Sequence, residues 1–253
     1  MIELVHLVKR FGPVVAVDDL SLKVERGELF VLLRPNAAGK TTTLKVLTGL
    51  MKPTSGSARI AGLDVQAHPL EVRRRLAYVP DFPFLYDKLT PWEFFRFIGQ
   101  LFRMDDARIR EEALRLIGPF NLEPHVERTI ETLSHGTRQR VALVAALLHQ
   151  PEVFVIDEPM VGLDPHHAKV FKDTLRQRAG AGMTVLMSTH QLSLAEELAQ
   201  RIGIMHHGKL IAVGTPVELR RRSGVEGPLE ETFLALTAEE KQLPGELPWR
   251  PPE

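Results

Sequence analysis

A chain of 253 residues, 44% hydrophobic and 25% charged, has the make-up of a globular protein with room for one large domain or two small ones. Basic and acidic residues balance at 32 each, so no global charge draws the chain to nucleic acid or to an anionic membrane surface. The absence of cysteine excludes disulfides, thiolate metal sites and thiol catalysis; no apolar run approaches the roughly 18 residues of a bilayer span, and the opening MIELVHLVKRFG lacks the layout of a secretory signal, which together fit a cytosolic protein.

Residues 2–8 read as a strand, 9–13 as a turn and 14–24 as one or two further strands, an opening that predicts a small antiparallel sheet beside the main core. Phe11, just before Gly12-Pro13, is either a packing residue or an aromatic placed to stack on a purine. The apolar run Leu29 to Leu33 is short enough for a buried strand, and Leu44, Leu47 and Leu50 give the following helix one apolar face. Between them stand Pro35, Asn36, Ala37, Ala38, Gly39, Lys40, Thr41 and Thr42. Strand, small-residue loop, Lys-Thr and helix is the order of a phosphate-binding loop, in which backbone N–H groups and the helix N-terminus attract anions. Lys40 would charge-pair with the β- and γ-phosphates, and the Thr41 hydroxyl would ligate Mg²⁺. The full pattern wants glycine where Arg34 stands, and related loops often carry it at Ala37; a non-glycine residue forced left-handed costs on the order of 1–2 kcal/mol. The alternative is a strand–turn–helix with an incidental Gly-Lys-Thr.

Residues 57–61 resume a strand, 63–76 read as a short helix whose Arg73–Arg75 run is a solvated face, and 76–79 form a strand closed by Pro80-Asp81-Phe82-Pro83. From 84 to 133 only helices are legible: 90–102, opened by Thr90, Pro91 and Glu93 as N-cap, N1 and N3, and about 105–117. This block, about 84–150 with the helix that follows, reads as a helical insertion. Its aromatic front, Phe82 to Phe95, is either the insertion's own core or a docking surface. Leu133-Ser134-His135-Gly136-Thr137 precedes an apolar helix, 141–148; Ser134 stands where an N-cap would, but Thr137 breaks the capping box, and local chemistry favours a plain helix start over a second anion site.

Residues 153–156 form a buried strand that delivers Asp157 and Glu158 to its C-terminal edge, where open α/β sheets bind ligands. Asp157 suits the Mg²⁺ shell and Glu158 suits polarising a water. Gly162-Leu163-Asp164-Pro165 turns into the next helix with Asp164 exposed; residues 184–188 form another strand ending at Thr189-His190, with the structural and functional readings of His190 evenly matched. A hairpin through His207-Gly208 joins strands 202–206 and 209–213, short helices cover 215–222 and 228–237, and the proline-rich end from Leu243 reads as a disordered tail.

The ordered set comprising the loop at 34–42, LSHGT at 133–137, VIDEP at 155–159, GLDP at 162–165 and STH at 188–190 resembles the nucleotide-binding subunit of an ABC transporter over roughly residues 2–237. The resemblance implies a P-loop NTPase α/β fold: a mainly parallel sheet, an N-terminal antiparallel β subdomain and an inserted helical subdomain, with 238–253 as tail. It also implies a head-to-tail homodimer or heterodimer with ATP sandwiched between the phosphate loop of one subunit and Ser134–Gly136 of the other. Phe11 would stack on adenine, Asp157 help hold Mg²⁺, Glu158 act as general base, and His190 touch the γ-phosphate. Asp164 and Asp81 would complete the set, Asp81 standing where the family commonly has a glutamine that relays to a membrane partner. Arg34, Ala37, His135, Thr137 and Asp81 depart from the family pattern. The partner implied is a separate transmembrane permease, which would hold this chain peripherally at the cytoplasmic face of the membrane. LEETFL at 229–234 favours an exporter. The rival readings are a catalytically weak module, such as the degenerate half of a heterodimer, and an ATP-switched scaffold without a permease.

Overall fold

The computed structural model describes residues 1–33 and 40–241, without the side chains of Lys40 and 239–241. The predicted tail from Leu243 lies outside the described residues, and so do Arg34, Asn36, Ala37, Ala38 and Gly39.

Strands β1 (Ile2–Phe11), β2 (Val14–Val24), β4 (Ser55–Ile60) and β5 (Leu63–Asp64) form an antiparallel sheet in the order β2-β1-β4-β5. Residues 14–24 are thus one strand. Strands β3 (Leu29–Leu33), β6 (Leu76–Val79), β7 (Val153–Asp157), β8 (Thr184–Thr189), β9 (Arg201–His206) and β10 (Lys209–Gly214) form the second sheet, in the order β10-β9-β3-β8-β7-β6. All its pairings are parallel except that of β10 with β9. That hairpin turns through His207 at φ 44° and Gly208 at φ 82°, two left-handed residues as a tight two-residue hairpin turn requires.

Side-chain alternation along the central strands divides the interior. Leu29, Val31, Leu33, Phe154, Ile156, Val185 and Met187 face a core shared with the helical block. Phe30, Leu32, Val153, Val155 and Leu186 face a core shared with α1 (Lys40–Leu47) and the antiparallel sheet. Strands covered on both faces read as continuous apolar runs.

Two expectations are corrected. The helix drawn over 63–76 divides into β5 and α2 (Pro69–Arg75). Ala61 and Gly62 both take positive φ, which folds Leu63-Asp64 back onto β4, and Asp64 Oδ1 then accepts from the N–H groups of Gln66 and Ala67 in a side-chain turn. Leu50 is not on the apolar face of α1: the chain leaves the helix through left-handed Gly49, and Leu50 is 60% exposed while Leu44 and Leu47 are fully buried.

The block after β6 is helical as read. It holds α3 (Pro91–Leu101), α4 (Asp106–Ile117) and α5 (His135–Leu147), with short 3₁₀ turns between the last two. Thr90 and Glu93 form the predicted capping box. Phe94 and Phe95 are core, as the first reading has it, whereas Phe82 and Phe84 are 77% and 83% exposed. The chain closes with α6 (Pro165–Gly180), α7 (Leu192–Leu198), α8 (Pro216–Ser223) and α9 (Leu229–Lys241). Among the described residues no helix is long and apolar enough to cross a membrane.

Gly56 marks the tightest backbone approach between β4 and β1. Its φ is +81°, and an added Cβ would lie 2.2 Å from the His6 carbonyl oxygen, beside the bulge where His6 itself takes φ 47°. Gly56→Ala is expected to lower stability by about 2–3 kcal/mol, strain and clash combined, read as a shift of the urea midpoint at unchanged slope.

Candidate functional site

The parallel register brings three strand ends together. Leu33 pairs with Thr189 and Asp157 with Ser188, so the exits of β3, β8 and β7 share one edge of the sheet. Lys40, Thr41 and Thr42 form the first turn of α1, which packs against β7; both threonines are half-buried. Asp157, 98% shielded from solvent, ends β7 at this edge.

Glu158 is the most constrained residue here. Its φ of 45° lies in the left-handed region, where a side chain costs about 1–2 kcal/mol. Three contacts hold it: its N–H donates to the Ser188 carbonyl at 2.8 Å, Thr189 Oγ1 donates to Oε2 at 3.0 Å, and His190 Nδ1 meets Oε1 at 2.7 Å. An ionised carboxylate only accepts, so Nδ1 of His190 carries the proton and Nε2 is left for another partner. Glu158 is buried and His190 is 44% exposed at its side chain, so the pair runs from the interior to the rim. A carboxylate fixed through both oxygens is oriented before any water arrives. The sequence reading missed Thr189; its only signal was a hydroxyl one place before a strand-end histidine.

Ser134, Gly136 and Asp164 gather at a second place. Ser134 is the N-cap of α5 and accepts from the Thr137 N–H at 3.3 Å, so the helix begins six residues before the apolar run expected at 141–148. Ser134 and Thr137 hydroxyls lie 2.9 Å apart. Gly136 is a steric necessity, because a Cβ there would fall 2.4 Å from the Gly162 carbonyl oxygen. Asp164 caps α6: Oδ1 accepts from the His167 N–H at 3.0 Å and Oδ2 meets His167 Nδ1 at 2.6 Å. That backbone N–H, then the ring, hold the Asp164 carboxyl down to about 2. Arg140, buried in α5, donates to the carbonyls of Phe120 and Asn121, to His167 Nε2 at 3.0 Å and to Thr137 Oγ1 at 3.0 Å. Burial lowers its pKa and Asp164 opposes that shift. The sequence reading assigned nothing to Arg140 or His167, since no local pattern joins residues 27 apart.

Phe11 lies at the tip of the β1–β2 hairpin, 46% exposed, with the Lys9 ammonium 5.1 Å from its ring centre. Asp81 follows β6 by two residues and is half-buried. Beside it an apolar groove is lined by Val79, Pro83, Phe84, Phe94, Ile98 and Phe102; His149 lies at its side, stacked on Phe102 with ring centres 3.6 Å apart, and burial pushes its pKa down to about 4.

A mainly parallel α/β sheet, a Lys-Thr helix start at its central strand and an acidic pair at the adjacent strand end define a nucleotide-binding cassette of the P-loop NTPase class. Residues 17–161 match the ABC transporter family model, and the chain belongs to the ABC transporter ATP-binding family, whose cassettes are ATPases. It is 39% identical, over 88% of its length and 68% of the relative's, to the daunorubicin/doxorubicin resistance ATP-binding protein of Streptomyces peucetius. It is 35% identical over 93% of its length to a probable multidrug ABC transporter ATP-binding protein of Escherichia coli, of which it spans 41%. A solved ATP-binding subunit of an ABC transporter superposes with a TM-score of 0.90 at 32% identity, over 94% of this chain and 99% of that one.

The Asp164 cap has a pH signature. A carboxyl held at about 2 when folded, against about 4 unfolded, adds stability that is complete above the unfolded value and lost as pH falls from about 4 to 2. The urea-midpoint gap between the parent and Asp164→Ala is therefore expected to be widest above pH 5 and to narrow steadily below pH 4.

Proposed function

We propose that this chain hydrolyses MgATP at a head-to-tail dimer interface and thereby drives a separate transmembrane permease. The observation that carries the reading is Glu158, held by Ser188, Thr189 and His190 at the edge where α1 begins. Glu158 orients a water and takes its proton as the oxygen attacks the γ-phosphorus, while the bond from that phosphorus to the β-γ bridging oxygen breaks and ADP leaves. His190, through Nε2, donates to the γ-phosphate, and Lys40 with the loop N–H groups offsets charge on the β- and γ-phosphates. Thr41 and Asp157, hard oxygen donors, would hold Mg²⁺, which would supply charge neutralisation for the phosphates. Phe11 stacks on adenine. Ser134 and Gly136 of the second subunit close the site, with Asp164 crossing the same interface.

The groove beside Asp81, flanked by exposed Phe82 and Phe84, is the face we assign to the permease. Asp81 lies between that groove and the strand edge, a position suited to relaying closure. Export as the direction of transport is supported by the LEETFL stretch and by the resistance function in the name of the Streptomyces relative.

Steady-state MgATP hydrolysis tests the reading. Glu158→Gln is expected to lower turnover by about 10²-fold or more, with ATP binding retained. Unchanged turnover would remove Glu158 as base. A silent parent revived by Arg34→Gly with Ala37→Gly would instead favour the weak module that relies on another subunit.

A further inference from the structure

The contacts around α5 and α6 form one continuous chain: Asp164, His167, Arg140, Thr137, Ser134. Its donors can be placed in order. The two hydrogens of Arg140 Nη1 serve three acceptors, the Phe120 and Asn121 carbonyls and His167 Nε2, so one is shared; arginine has no acceptor, and at 3.0 Å Nε2 of His167 is therefore the bare nitrogen. The ring is then neutral with its proton on Nδ1, and that proton is donated to Asp164 Oδ2 at 2.6 Å. At the other end Arg140 Nη2 donates to Thr137 Oγ1 at 3.0 Å. The Ser134 and Thr137 hydroxyls share a hydrogen bond at 2.9 Å in which either can donate, and Ser134 Oγ also accepts from the Thr137 N–H. With Thr137 as the donor, Ser134 Oγ keeps its own proton to give outward, and Ser134 is solvent-exposed. Thr137, Arg140 and His167 are all buried, so the middle of the chain has no bulk water to exchange with, and losing any member strands a polar group.

We propose that His167 is a positioning residue: as the Nδ1-protonated neutral ring it ties Asp164 to Ser134 through Arg140 and Thr137, so that the two groups meet the second subunit as one unit with the Ser134 hydroxyl aimed at the γ-phosphate. This rests on the head-to-tail reading above. It also accounts for Thr137: a hydroxyl there accepts from Arg140 and shares a hydrogen bond with Ser134. The link runs inside one chain, so it exists before nucleotide or partner arrives and constrains both segments in the same subunit. Gly136 and Gly162 reinforce it sterically, since a Cβ on Gly136 would collide with the Gly162 carbonyl oxygen and one on Gly162 with the His135 ring.

The test is a double-mutant cycle of Asp164→Asn and Thr137→Val, run in the parent and in His167→Gln. Glutamine keeps an acceptor for Arg140, which protects the fold, and gives up the ring nitrogen that holds Asp164. In the parent the two substitutions are expected to couple, the double variant retaining about threefold or more activity beyond the product of the single effects on kcat. In His167→Gln the effects should multiply. Multiplying effects in the parent, or equal coupling in both backgrounds, would overturn the proposal. A long-range ¹H–¹⁵N spectrum, with His167 assigned by its loss in His167→Gln, should show Nδ1 protonated and Nε2 bare; the opposite tautomer would also overturn it. The head-to-tail reading fails separately: Glu158→Gln would then stay monomeric with ATP, while the same cycle read on thermal midpoints of the nucleotide-free chain would still couple.

Discussion

Parallel pairing of β3, β8 and β7 is the constraint on which the rest depends. Each strand is buried on both faces, so each can present polar chemistry only at its ends. Register decides which ends coincide: with Leu33 opposite Thr189 and Asp157 opposite Ser188, the exit of β3, the acidic pair and the threonine–histidine pair fall on one edge. A one-residue slip would exchange the two apolar cores and break the Ser188 carbonyl contact to the Glu158 N–H.

Rigidity at that edge is bought with strain. Glu158 accepts a left-handed backbone in the residue after a buried strand, and its three hydrogen bonds offset that cost. The geometry is useful because the chain turns immediately: within six residues of Glu158 it reaches Asp164, which caps α6 and belongs to the second cluster. The strained residue and the capping residue are thus two ends of one short segment, with Gly162 pressed between them against α5.

Much of this was legible because it is written in local patterns. Continuous apolar runs identified the buried strands, the Thr90–Glu93 box identified α3, and the order of short motifs identified the family. Where the reading failed, the cause was an interaction that a window of residues cannot contain. The 63–76 helix was overextended because its apolar spacing fits a helix as well as a hairpin, and positive φ at Ala61 was invisible. Leu50 was placed on a helix face because periodicity does not say where a left-handed glycine will end the helix. Thr189, Arg140 and His167 went unread because the contacts that tie them into the site, Thr189 to Glu158 and Arg140 to His167, join residues 31 and 27 apart in the chain.

The departures from the family pattern sort by the same logic. Thr137 interrupts a capping box, yet Ser134 caps α5 without it, and the Thr137 hydroxyl instead lies between Ser134 Oγ and the Arg140 guanidinium. His135 lies over Gly162, which has no Cβ to oppose it. A residue that looks like a defect in a motif is therefore judged by what its side chain touches rather than by its distance from a consensus. By that measure the altered signature is a differently wired version of the same helix start, in which Ser134 remains the cap and the buried Arg140 holds Thr137 from behind.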